Sequence, residues 1–136
     1  MRLLTDTEAV IRFAVDDLPA AARDAIADAN NEVFVSAASV WEIATKARIG
    51  KLTLPDDVTA KGITRWVVED GFSLLAIRGD HAELAGAMDI AYRDPWDRMI
   101  LAQARIEGLT IVASDKVFAD HGVAVLWRRK GGEPVE

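Results

Sequence analysis

Short apolar runs alternate along this chain with segments whose apolar residues recur at helical spacing. Arg2–Thr5 is an apolar stretch halted by Asp6-Thr7, a good capping pair, after which Val10, Ile11 and Ala14 share one helical face. Pro19 fits the first turn of a second helix running to about Ala29. Glu32–Val35 reads as a strand, and Ser36 is the cap of a helix that buries Val40, Ile43, Ala44 and Ala47 and ends near Gly50. The turn Leu52–Pro55 leads into one helix with Ile63, Trp66 and Val67 on a face and Gly71 after its end. Phe72–Ile77 reads as a strand and Asp80–Ile90 as a helix. Asp94-Pro95-Trp96-Asp97 starts a strong helix carrying Ile100, Leu101, Ala104 and Ile106, which Gly108 ends. Leu109–Ala113 is unbroken apolar, the mark of a strand buried on both faces. Lys116–Ala119 suits one helical turn and Val123–Trp127 a last strand. This alternation predicts an α/β domain with a mainly parallel sheet.

Composition narrows the class. With 136 residues, 51% of them apolar, the chain suits one globular domain with its own core. The expected domain is 1–127, with 128–136 a flexible tail. No apolar run approaches the roughly 20 residues that span a bilayer. Asp6 and Glu8 arrive too early for a signal peptide, so a cytoplasmic protein is expected. The absence of cysteine excludes disulfides, thiol catalysis and Cys-ligated zinc. A net charge of −6 argues against a general nucleic-acid coat protein. It leaves room for a metal-dependent nuclease, whose site acids are neutralised by cations.

Four carboxylates, Asp6, Glu42, Asp97 and Asp115, fall at or near helix starts, two of them directly after predicted strands. In a parallel α/β sheet these positions gather on one edge, where ligand crevices form. Acids gathered there repel one another unless a cation lies between them, which points to a hard divalent metal and phosphate chemistry. Each acid also has a simpler reading. Asp6 suits a helix cap, although Thr7 is able to cap in its place and leave Asp6 to a metal. Glu42 has Lys46 four residues on, the favoured spacing of a solvated helix pair. Asp94 suits the N-cap with Pro95 at the first helical position, which leaves Asp97 in the first turn as the ligand. Asp115 suits a turn or a cap, and Ser36 a cap that also binds water held by a metal.

The remaining features carry less. His81 and His121 read as surface residues, and two histidines make no His-rich metal set. Trp41, Trp66, Trp96 and Trp127 read as core or interface packing. Neither a glycine-rich phosphate loop nor a serine nucleophile elbow is present.

Four segments, Leu3–Thr7, Val33–Ile43, Arg93–Ala104 and Leu109–Asp115, together resemble a PIN domain, and more narrowly the VapC toxin ribonucleases of VapBC toxin–antitoxin pairs. The likeness runs in order from about Met1 to Trp127. It implies a three-layer α/β/α sandwich with a mainly parallel central sheet. The family's acidic quartet falls on Asp6, Glu42, Asp97 and Asp115, and its small polar residues on Thr7 and Ser36. Three positions depart from the pattern: Glu8 stands where His is frequent, Thr5 replaces an apolar strand residue, and Arg12 stands where an aromatic is common.

The resemblance implies a ribonuclease toxin using Mg2+ or Mn2+, metals that prefer oxygen ligands. Asp6 and Asp97 are the expected ligands, with Glu42 and Asp115 as ligands of a second ion or orienters of water and Thr7, Ser36 and Asp94 in support. Arg93, Arg98 and Lys116 flank the acids as candidates for RNA phosphates, and Arg98 equally suits a pair with Asp94. The expected partners are RNA, a small antitoxin covering the acidic groove, and a second copy of the chain. Two other classes stay open. An Mg-dependent phosphatase or phosphoacceptor domain also places Asp after its first strand, although Asp6-Thr7-Glu8 lacks a second Asp two positions on. A non-catalytic binding module would use the acids only as caps.

Overall fold

A computed structural model describes residues 1–91, 93–114 and Phe118. At its centre β1 (Arg2–Thr5), β2 (Glu32–Ser36), β3 (Ser73–Leu75) and β4 (Thr110–Val112) form a sheet in the order β3-β2-β1-β4. Every pairing is parallel, with Leu3 facing Val33 on one side and Thr110 on the other. The described helices are α1 (Thr7–Ala14), α2 (Ala20–Ala27), α3 (Ala37–Arg48), α4 (Asp56–Lys61), α5 (Ile63–Glu69), α6 (Gly79–Ala87) and α7 (Pro95–Glu107).

Neighbouring strand residues point to opposite faces of a sheet, so the fully buried pair Leu3 and Leu4 belongs to two different cores. Leu3, with Val33, Val35 and Val112, packs with Val10 of α1, Ile26 of α2, Ile43 of α3, Val58 of α4 and Trp66 of α5. Leu4, with Ile111, packs with Ala85 of α6 and with Ile100, Leu101 and Ala104 of α7. Helices therefore cover both faces, and the fold is a three-layer α/β/α sandwich. Thr5 keeps its place in the buried strand because its hydroxyl donates to Phe34 O at 3.2 Å. Among the described residues no helix is long and apolar enough to cross a membrane.

Several element boundaries differ from the sequence pattern. The single helix expected before Gly71 is two, broken at Gly62, whose φ of +86° and ψ of 151° only glycine adopts without strain. Pro19 is the residue before α2 rather than within its first turn. The helix expected to reach Ile90 stops at Ala87, where Met88 turns extended, and the strand expected over 72–77 shortens to β3. Trp66 is core, whereas Trp41 is 62% exposed and packs edge-on against Trp96 at 5.5 Å. The helical turn 116–119, the strand 123–127, His121 and Trp127 lie outside the described residues.

Topology places the crevice. The chain steps from β1 to β2 to β3 in one direction, then returns to lay β4 against the other side of β1. That reversal lies between β1 and β4, and ligand crevices open beyond strand C-terminal ends at such a point.

Candidate functional site

Asp6 is the first residue beyond β1, and its backbone N–H extends the sheet by donating to Val112 O at 3.1 Å. Its carboxylate caps α1, with Oδ1 accepting from Ala9 N at 2.8 Å. Thr7 does not take over that cap. Its hydroxyl instead lies 2.9 Å from Ser39 Oγ, which ties the start of α1 to α3. Across the groove, Asp94 Oδ1 accepts from the N–H groups of Trp96 and Asp97 at 3.0 and 3.1 Å. Asp94 is thus the cap of α7, and Asp97 stands in its first turn.

Glu42 lies inside α3, and the expected pair with Lys46 forms, with Lys46 Nζ 2.5 Å from Glu42 Oε2. The pair is not on a solvated face, since Glu42 is only 5% exposed and its Oε1 is buried with no hydrogen-bond partner among the described residues. The spacing rule foresaw the contact but not the burial, because a local rule carries no information about what covers the helix.

One groove of about 400 Å3 brings together Asp6, Thr7, Glu42, Asp94 and Asp97. It adds three residues that the sequence pattern did not place in a site: Glu8, Lys46 and Lys51. Glu8 Oε1 accepts from Ser114 Oγ at 3.1 Å, which binds α1 to the segment after β4, and Arg12 lies 3.9 Å from its other oxygen. Asp115 and Lys116 lie outside the described residues.

Two of the expected supporting residues have partners within the fold, and Ser36 is the cap of α3 as its position suggested. Ser36 is fully buried and lines no part of the groove, since its hydroxyl accepts from Ala38 N and donates to Gln103 Oε1 at 2.6 Å. Arg98 points its guanidinium at the carbonyls closing α6, donating to Ala85 O and Met88 O at 2.8 Å each. It fastens the corner between α6 and α7. Arg93 is exposed on the approach to α7.

Burial pushes the Asp6 carboxyl well above the usual carboxylate range; the Ala9 N–H opposes this, and the charges of Asp97, Glu8 and Glu42 reinforce it. Lys46 moves upward too, chiefly through its hydrogen bond to Glu42, with Glu42, Asp94 and Asp97 adding charge attraction and desolvation opposing. The groove is therefore short of positive charge. Among the described residues no group of three or more carboxylate or imidazole side chains is arranged to hold a metal ion unaided. The donor chemistry nevertheless fits a hard cation: the groove offers carboxylate and hydroxyl oxygens, and one buried Glu42 oxygen has no hydrogen-bond partner among the described residues.

Behind the groove runs a second polar cluster, and here another expectation fails. His81 is fully buried rather than at the surface. Its Nδ1 accepts from Arg78 N at 3.0 Å, and its Nε2 lies 2.8 Å from Glu107 Oε2. Arg78 Nη2 meets that same oxygen at 2.8 Å. Gln103, also fully buried, joins this cluster to Ser36 and donates to Ala76 O at 3.2 Å.

A family model for the PIN domain matches residues 3–123 of the chain. The chain belongs to the PIN-domain family. Solved structures of similar shape include VapBC2 from Rickettsia felis bound to a promoter DNA fragment, at 12% identity and a TM-score of 0.65, covering 92% of this chain and 97% of that one. A toxin–antitoxin complex from Klebsiella pneumoniae matches at 18% identity and a TM-score of 0.61, covering 93% and 99%. The sarcin-ricin loop cleaving toxin VapC20 of Mycobacterium tuberculosis matches at 16% identity and a TM-score of 0.59, covering 90% and 96%. No curated protein matches the chain significantly. In this PIN domain the fold gathers Asp6, Glu8, Glu42, Asp94 and Asp97 in one groove beyond the end of β1.

Proposed function

We propose that this PIN domain is the toxin of a type II toxin–antitoxin pair and a divalent-metal-dependent endoribonuclease. The observation that carries the reading is the acidic groove beyond the end of β1, in which a buried Glu42 oxygen has no partner among the described residues and Asp6 resists ionisation. Asp6 and Asp97 would hold Mg2+ or Mn2+, with Glu42 and Asp115 as ligands of a second ion or orienters of water. When bound, such an ion supplies positive charge to a phosphodiester and lowers the pKa of water. Asp6 is kept in position by its cap on α1, and Thr7 by its contact with Ser39, so the first turn of α1 presents a fixed edge to the ion. Lys51, Arg93 and Lys116 would engage RNA phosphates on either side.

The partner reading is a small antitoxin. Ile11 and Leu52 line both the acidic groove and an adjoining apolar channel of about 240 Å3, which Val10, Ile43, Val58 and Trp66 also line. A partner laying an apolar segment in that channel would deliver an Arg or Lys among the carboxylates. The toxin–antitoxin assemblies among the similar structures support this. A homodimer in the cytoplasm completes the reading.

The test is incubation of purified protein with total RNA in Mg2+ or in EDTA, with the cut ends mapped by sequencing. Discrete cleavage in Mg2+ alone, lost in Asp97→Asn with the fold intact, is the expected result. Equal cleavage by Asp97→Asn would remove the metal assignment. Cleavage unchanged by EDTA would do the same. If the acids were caps alone, Asn would serve Asp94 and Asp6 nearly as well, and Glu42 caps nothing.

A further inference from the structure

We propose that Lys46 is the groove's internal counterion: its ammonium steadies the carboxylates while no divalent ion is present, and an entering ion displaces it from Glu42. The inference rests on the metal-dependent reading above and extends it to a residue outside the acidic quartet.

An ordinary Glu–Lys pair at this spacing stands in water and contributes little. Here the partners differ in surroundings. The Glu42 side chain is 7% exposed and that of Lys46 is 39% exposed, so the acid is fixed and the ammonium is reachable. Nζ lies 2.5 Å from Glu42 Oε2, while the other oxygen of the same carboxylate is buried without a partner among the described residues. Lys46 also lines the groove with Asp94 and Asp97, in which, among the described residues, five carboxylates face two ammonium groups. The ammonium is thus the cation that the fold itself supplies beside the buried acid.

A lysine ammonium is a compact charge on a flexible four-carbon stem. A divalent ion reaching for Glu42 meets that charge, and each weakens the other's hold on the carboxylate. The coupling is reciprocal: Lys46 lowers affinity for the ion, and the ion frees Lys46. Once freed, the ammonium joins Lys51 at the groove, where an RNA phosphate would arrive.

The experiment titrates Mn2+ alone, without RNA, into wild type, Lys46→Met and Lys46→Arg by calorimetry, with melting curves in EDTA to follow the fold. Lys46→Met is expected to bind Mn2+ about tenfold tighter, as loss of a neighbouring unit charge implies, and Lys46→Arg to bind as wild type does. Lys46→Met is also expected to melt lower than wild type in EDTA. Wild-type binding with equal or weaker binding by Lys46→Met overturns the proposal and leaves the metal reading standing. No binding by any of the three overturns both. A second readout needs no variant: in wild type, Mn2+ should raise the acetylation rate of Lys46 relative to Lys51, followed by mass spectrometry. An unchanged ratio in Mn2+-bound protein sinks the counterion role.

Discussion

The groove beyond β1 and the cluster around His81 both take charged or polar side chains out of water, and they meet the cost in opposite ways. Around His81 each donor finds an acceptor: Arg78 N and Gln103 face Nδ1, while Nε2 and the Arg78 guanidinium meet Glu107. Glu107 accordingly sits below the usual carboxylate range, held there first by the His81 hydrogen bond and then by Arg78. In the groove, acceptors outnumber donors. Asp6 is pushed up by burial, and Glu42 has a bare buried oxygen. Matched networks fix a fold, whereas unmatched charge must be completed from outside. The difference separates polarity satisfied within the fold from the polarity on which the proposed metal site rests.

The sharpest way to break this comparison is Asp6→Asn. Asn still caps α1, so the fold should stand, while RNA cleavage falls by about a thousandfold. Melting in EDTA at neutral pH should hold or rise, because a buried charge has been removed. A fall in melting temperature together with retained cleavage would place Asp6 in the structural class.

The opposite substitution belongs to the other cluster. Gln103→Leu strips partners from Ser36 and Ala76 O and should cost about 2–3 kcal/mol of stability, measured by urea denaturation. Cleavage per folded molecule should stay close to wild type. Comparable in size is the effect of Mn2+, expected to stabilise wild type by about 2.7 kcal/mol at a hundredfold excess over its Kd and to leave Asp6→Asn nearly unmoved.

The smallest effects are in pH, and their signs oppose. Asp6 has its native pKa raised, so in metal-free protein its contribution to stability is full below the unfolded value of about 3.9 and is lost as pH rises through the native value. Glu107 has its native pKa lowered, so its contribution is present above about 4.3 and is lost as pH falls through the native value. Denaturation across pH should flatten on the rising side in Asp6→Asn and on the acid side in Glu107→Gln. Identical profiles in the two variants would erase the distinction.

How much of this was readable in the sequence follows from the range of each rule. Strand–helix alternation, the Asp94-Pro95 start of α7 and its stop at Gly108 are local, and the structure has them, with Gly108 at a φ of +67°. Position at strand ends and helix starts made a gathering of Asp6, Glu42 and Asp97 possible, and resemblance selected it over the cap and ion-pair readings that explain them one at a time. What escaped depends on distant partners. His81 looks like a surface residue until Glu107, on another helix, is placed against it. Ser36 and Arg98 had the right chemistry for a site, but their hydrogen bonds to Gln103 and to the end of α6 were settled by packing. The break at Gly62 was hidden because apolar periodicity continues across it.

The position of β1 inside the sheet has a consequence for biosynthesis. Its two sides are completed at different times: Leu3 can pair with Val33 as soon as β2 has been made, but with Thr110 only after the whole segment from β2 to β4 has followed. Asp6 closes the sheet on Val112, so the wall that holds the first acid is absent from any shorter nascent chain. Parallel pairing between such distant segments is slow to form, and vectorial synthesis delays it further. The carboxylate cluster is therefore not walled on a nascent chain that stops short of β4, and its assembly is timed by the last strand described.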